Sequence, residues 1–348
     1  FDEYGIAATS LAIFAYAKGE QVDVTTWRQP FQFGVEPNLK QQKVNINKIE
    51  NMSESTIRGV DVSSYVALQN AGVKFYDFDG KEAPLMQVLK DSGVNYIRIR
   101  LWVDPTDENG NTYGGGANDT ATGIKIAKDA TEYGMKVMLN FQYSDFWTDP
   151  SQQILPKSWE KDKDNPEKMR ENIYNYTKDT IQQFKEEIPN VDIGMVQVGN
   201  EITNGLLGEI ANRDNGGKYT AVWGNEETSK KVNSYINAGS QAVRECLPEA
   251  LIVLQLETPN IEKYTNIMNT WERDHVDYDV LGSSFYPFWT KDWTVEGVPN
   301  ANTLSNLEKI QKLAASYGKL FVVAETAWVN DLNDSDGTHN AIGEADDT

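Results

Sequence analysis

A chain of 348 residues with 39% hydrophobic and 11% aromatic residues can bury a sizeable core, and the length fits one barrel of about 250 residues plus an appendage. Its formal net charge of −20, from 52 acidic against 32 basic residues, repels nucleic acid and acidic membrane surfaces but not a neutral polymer. The single Cys246 excludes an intrachain disulfide, His275 and His339 cannot by themselves build a zinc site, and no apolar run reaches the roughly 18 residues of a membrane span. No secretory signal is present, and because the chain opens on Phe1 rather than Met this leaves the compartment open.

Residues 1–55 differ in texture from the rest of the chain. Short β-prone runs at 11–17, 22–27, 31–35 and 44–49, separated by Gly, Pro and Asn, predict part of an all-β accessory module that ends in the polar linker 51–55. Trp27 and Phe31 there read equally as a sugar-stacking face or as core aromatics. From Arg58 the rhythm becomes strand, loop, helix, repeated. Strands are predicted at 59–62, 94–102, 136–141, 193–198, 251–256, 278–285 and 320–324, and helices at 85–92, 121–133, 166–187, 229–245 and 304–317. Such alternation predicts a parallel α/β array of the (β/α)8 TIM-barrel type over residues 56–348. After Glu325 the chain offers neither an eighth strand nor an eighth helix, so the expectation is a barrel truncated before its last βα unit. The glycines at 114–116 lack the Lys and Ser/Thr of a phosphate loop and read as a loop passing close to something.

Two of these strands, each a short apolar run rich in β-branched residues, end on a carboxylate. One is 193–198, followed by Gly199, Asn200 and Glu201; the other is 320–324, followed by Glu325. Chemistry in this architecture sits at the C-terminal ends of the strands, so both carboxylates are expected on one pocket. A facing pair, about 5 to 5.5 Å apart, is the minimum equipment for retaining glycoside hydrolysis. Either Glu alone reads as readily as a satisfied strand-end acid. Arg98 and Arg100 alternate with Ile97 and Ile99, so both project to one face of the second strand. An arginine beside Glu325 would favour its charged form and orient it, as a nucleophile needs; a buried structural ion pair is the competing account. Tyr286 ends the sixth strand within reach of the same carboxylate. Trp102, Trp147, Trp289 and Trp328 fall at or just beyond strand ends on one rim, where aromatic faces stack on pyranose rings, although each singly is better explained as core than as subsite.

The segments 59–64 (GVDVSS), 95–102 (NYIRIRLW), 113–116 (YGGG), 143–150 (YSDFWTDP), 198–201 (VGNE), 284–289 (SFYPFW) and 324–326 (AET) together resemble glycoside hydrolase family 53. The resemblance covers about residues 59–340. It implies a retaining endo-β-1,4-galactanase acting on (arabino)galactan and pectin side chains, with no catalytic cofactor, outside the cell or on its surface, as a monomer. It further implies Glu201 as acid/base and Glu325 as nucleophile. Arg98, Asn200, Tyr286, Trp147, Gln142, Asp145 and Trp289 would contact substrate or the nucleophile.

The chain also departs from the family pattern. It reads Asn140-Phe141-Gln142 where the family usually has Asp-Phe-His, and Gln255 where the fifth strand usually carries a His. These amides keep hydrogen bonding and remove titration, so the proton balance around Glu201 is expected to change. Asp334, Asp336 and Asn340 resemble a calcium loop, with an ordinary Asx-rich loop as the alternative. Two other activities fit the residues: a related endo-glycanase acting on mannan or xylan, and a carbohydrate-binding pseudoenzyme.

Overall fold

The computed structural model describes residues 52–113, 117–210, 219–286 and 301–327, together with the backbone of a small antiparallel hairpin, Ile6–Ala8 with Ile13–Ala15. Seven strands form one sheet: β1 (Gly59–Asp61), β2 (Tyr96–Leu101), β3 (Lys136–Phe141), β4 (Ile193–Val198), β5 (Leu251–Leu256), β6 (Val280–Ser284) and β7 (Leu320–Glu325). Their order in the sheet is their order in the chain, and every pairing is parallel. The residues after 327, where the absence of an eighth strand was expected, lie outside the described residues, as do most of 1–51.

The helices are α1 (Tyr65–Asn70), α2 (Leu85–Asp91), α3 (Thr120–Glu132), α4 (Pro166–Glu187), α5 (Thr220–Trp223), α6 (Glu226–Cys246), α7 (Ile261–Arg273) and α8 (Ala301–Ser316). The longer ones begin where a side chain can take up free N–H groups. Asn165 caps α4 ahead of Pro166, Asn225 caps α6, Asn260 caps α7 and Asp119 caps α3, each accepting from backbone amides of the first turn. Helix α7 was not expected from the sequence, although Tyr264, Ile267, Met268 and Trp271 bury one face at helical spacing.

Alternation along the strands separates two layers. Ile97, Ile99, Leu101, Val137, Leu139, Phe141, Val196, Val198, Ile252, Leu254 and Leu256 point outward and pack with Ile126, Ile173, Phe184, Val232, Ile236 and Ile267 of the helices in the main core. Inside the sheet, Met138, Met195, Val253 and Val280 form an apolar floor with Tyr96, Leu251 and Val322 at its margin. The next inward positions toward the C-terminal ends are polar and buried: Arg98, Arg100, Asn140, Gln197, Gln255 and Ser284. Arg98 of β2 reaches Glu325 of β7 across the interior, although these strands are not neighbours in the sheet, so the array is curled as a barrel is.

Two bulges adjust this pattern. Gly194 is the unopposed residue where β3 and β4 shift register between Val137 and Met138. A Cβ at 194 would collide with the Tyr96 hydroxyl. We expect Gly194→Ala to destabilise the fold by about 1–3 kcal/mol in urea unfolding, with much of the loss recovered by adding Tyr96→Phe. On β7 the unopposed residue is Ala324, because Ser283 pairs with Val323 and Ser284 with Glu325. Strict alternation would send Glu325 outward with Phe321 and Val323; the bulge turns it back into the barrel.

Candidate active site

Glu325 arrives inside the barrel with both carboxylate oxygens engaged. Arg98 Nη2 donates to Oε1 at 2.6 Å and the Tyr286 hydroxyl to Oε2 at 3.0 Å. Arg98 is also held by Asp61, through Nη1 at 2.8 Å, and donates to Gln197 Oε1 at 3.1 Å and Asn200 Oδ1 at 3.0 Å. Burial opposes its charge, but the carboxylates of Glu325 and Asp61 outweigh that and raise the guanidinium above its ordinary value.

Glu201 has different surroundings. Burial pushes its carboxyl up to about 8, and the negative charge of Glu325 adds to the shift. No cation pairs with it among the described residues; its partner is the Ser284 hydroxyl, which donates to Oε1 at 2.6 Å. Its backbone is left-handed, with φ 46° and ψ 51°, which costs about 1–2 kcal/mol for a residue with a Cβ. Tyr143 and Thr258, just beyond β3 and β5, are also left-handed, so three successive strand ends turn through unfavourable backbone on the same rim.

Both carboxylates line one cavity of about 310 Å³, and among the described residues Asp149, Pro150, Glu257, Thr258, Pro259, Ser284 and Tyr286 line it with them. One carboxyl that favours its proton and one clamped by a permanent cation can run acid and nucleophile roles side by side.

Other residues expected at substrate are not among the described residues that line this cavity. Both oxygens of Asp145 accept backbone N–H groups, from Asp104 at 2.9 Å and Lys157 at 2.8 Å, so its carboxylate ties two loops together and is not on the cavity wall. Gln142, also off the wall, uses its Oε1 to hold Thr148 through N–H and hydroxyl. The Asn200 amide donates to Thr148 O at 2.8 Å and accepts from Arg98 and Asn140. Trp102 is fully buried and belongs to the core, whereas Trp147 is partly exposed and carries the Arg100 guanidinium 3.8 Å from its ring centroid. Trp289, Trp328, Asp334, Asp336 and Asn340 lie outside the described residues, and among those described no cluster of metal-ligating side chains occurs.

Asp61, Gln197, Ser284, Asp149 and Glu257 also belong to the site, with no individual role expected from the sequence, although Asp61, Asp149 and Ser284 fall within the segments that carry the resemblance. Glu257 carried a legible signal, since it follows β5 as Glu201 follows β4. It pairs with Lys263 at 2.6 Å.

A sequential parallel βα array with two strand-end carboxylates on one cavity is the architecture of barrel glycoside hydrolases. The chain belongs to glycosyl hydrolase family 53, whose model matches residues 57–348. It is 40% identical over 312 residues to an endo-beta-1,4-galactanase of Bacillus subtilis, covering 89% of this chain and 65% of that protein, so it spans a little less than two thirds of that relative. It is 31% identical over 282 residues to an arabinogalactan endo-beta-1,4-galactanase of Humicola insolens, covering 78% of this chain and 74% of that one. Among solved structures, the GH53 catalytic domain of Ignisphaera aggregans superposes with a TM-score of 0.72 at 34% identity, over 84% of this chain and 74% of that one. A fungal beta-1,4-galactanase superposes with a TM-score of 0.62 at 29% identity, covering 78% and 74%.

Proposed function

We propose that this protein hydrolyses β-1,4-galactan within the chain and with retention, Glu325 acting as nucleophile and Glu201 as acid/base. The observation that carries the reading is the contrast at one cavity between Glu201, pushed up to about 8, and Glu325, held by Arg98 and Tyr286. A Glu325 oxygen attacks the anomeric carbon as Glu201 passes its proton to the departing glycosidic oxygen. Water then enters, Glu201 takes one of its protons, and the water oxygen bonds to the anomeric carbon as the glycosyl–Glu325 bond breaks, which restores both carboxyl groups. The relatives' names supply galactan as the polymer. A polysaccharide does not cross membranes, so the reaction belongs outside the cell, and residues 1–55 are read as part of an accessory β module and linker that precede the barrel in sequence. The calcium loop at Asp334, Asp336 and Asn340 is part of the reading as a structural site, and no chemical step runs through it.

Proton NMR of a digest of purified β-1,4-galactan tests this. New reducing ends should appear first as the β anomer. First appearance of the α anomer, release from mannan or xylan in place of galactan, or binding of galactan without new reducing ends would each overturn it.

A further inference from the structure

A chain of hydrogen bonds with a fixed direction runs through the barrel interior to the acid/base residue. It starts at Arg98, whose guanidinium has donors and no acceptor. The Gln197 side-chain atom facing Arg98 must therefore be its oxygen, at 3.1 Å. That leaves Gln197 Nε2 to donate to Gln255 Oε1, at 2.5 Å. The same oxygen faces the backbone N–H of Glu201 at 3.4 Å, so Gln255 is committed as an acceptor there. Its Nε2 consequently donates to Ser284 Oγ at 2.9 Å. The Ser284 hydroxyl, having accepted from Gln255, directs its single proton to Glu201 Oε1 at 2.6 Å. Gln197, Gln255 and Ser284 are no more than 1% exposed, so bulk solvent has little access to the links between them.

We propose that this one-way chain, Arg98–Gln197–Gln255–Ser284, assigns the transferable proton of Glu201 to Oε2, with Gln255 and Ser284 as positioning residues for the acid step. The proposal rests on the reading of Glu201 as acid/base. Neither amide nor the hydroxyl titrates near neutral pH, so Oε1 receives a hydrogen bond throughout the working range. The carbonyl-type oxygen of a carboxylic acid accepts a hydrogen bond better than its hydroxyl oxygen does, so the Ser284 bond to Oε1 favours the proton on Oε2. As Oε2 gives up its proton, the Ser284 bond becomes charge-assisted and strengthens, so it favours the transition state over the ground state. The burial that lifts Glu201 and the Ser284 bond that opposes the lift act together on the same carboxyl.

The test uses Ser284→Ala and Gln255→Glu in the full chain, with two substrates: β-1,4-galactan, and 2,4-dinitrophenyl β-galactobioside, whose leaving group departs without a proton. Ser284→Ala removes the donor, and Gln255→Glu turns the Ser284 proton away from Glu201. In both, the ratio of kcat/KM on galactan to kcat/KM on the aryl substrate should fall about tenfold. Ser284→Thr, which keeps a hydroxyl, should restore it. Carbon-13 NMR of the Glu201 carboxyl, read without substrate, should move to higher pH in Ser284→Ala and Gln255→Glu. An unchanged ratio together with an unchanged titration in both variants would overturn the proposal. If the unaltered protein cleaves neither substrate, the functional reading fails, and the NMR titration still decides whether the chain reaches Glu201.

Discussion

Arg98→Ala is expected to destabilise the protein by about 3–5 kcal/mol and to abolish the proposed galactan hydrolysis, because it leaves Glu325 without its cation and Asp61 with only Arg100 Nε, at 3.4 Å. Arg98 joins β1, β4 and β7 from β2: Asp61, Gln197 and Glu325 lie on those strands, and Asn200 follows β4. Its side chain is 7% exposed, as against 8% for Asp61 and 14% for Glu325, so little solvent is available to replace it. Arg98→Lys should recover only part of the stability, since one ammonium cannot reproduce the planar fork that meets Asp61 on one arm and Glu325 on the other. Urea unfolding with a matched activity assay checks this; a loss under 1 kcal/mol would mean that the interior tolerates the unpaired acids.

Glu201→Gln should lower kcat/KM on galactan by about 10²–10⁴-fold, the usual worth of a positioned general acid, with a much smaller effect on a dinitrophenyl glycoside. In its proposed role as the acid Glu201 must hold its proton, so in the unaltered protein kcat/KM on galactan should decline as pH rises through about 8. The Gln variant should lose that limb. The same group sets a stability trend. A carboxyl raised in the folded state contributes stability that is complete below its unfolded value and is lost as pH rises through the folded one, about 8. Glu201→Gln should therefore match the unaltered protein in Tm at pH 4 and exceed it at pH 9, by roughly 2–4 °C for each kcal/mol of buried repulsion removed. Equal Tm values at pH 9 would show that Glu201 carries no such penalty.

Much of the frame was legible because it depends on short-range pattern. The strands at 136–141 and 251–256 and the helix at 166–187 have the bounds that periodicity and capping predict. Helix α7, not expected from the sequence, follows Pro259 and the Asn260 cap a few residues after β5, and its apolar stripe is only four residues set among polar ones. The departure at Gln255 was read as removing a titrating group near Glu201. The contact is closer than expected, since Gln255 accepts from Gln197 and orders Ser284. Asp145, by contrast, looked like a ligand-facing acid, but loop amides occupy it. No local signal separates a carboxylate aimed at sugar from one aimed at the backbone of a loop far away in the chain.

By itself, the order of residues determined that strands and helices alternate, that acids and amides stand at the strands' C-terminal ends, and that the helix-facing sides are apolar. These features arise from periods of two and 3.6 within a few residues. Folding in three dimensions decided the rest: the bulge at Ala324 turned Glu325 inward, Arg98 went to one acid, and a serine on β6 went to the other. A carboxyl's readiness to hold its proton depends on burial and on charges brought near it from distant parts of the chain, and those neighbours exist only once the sheet has curled.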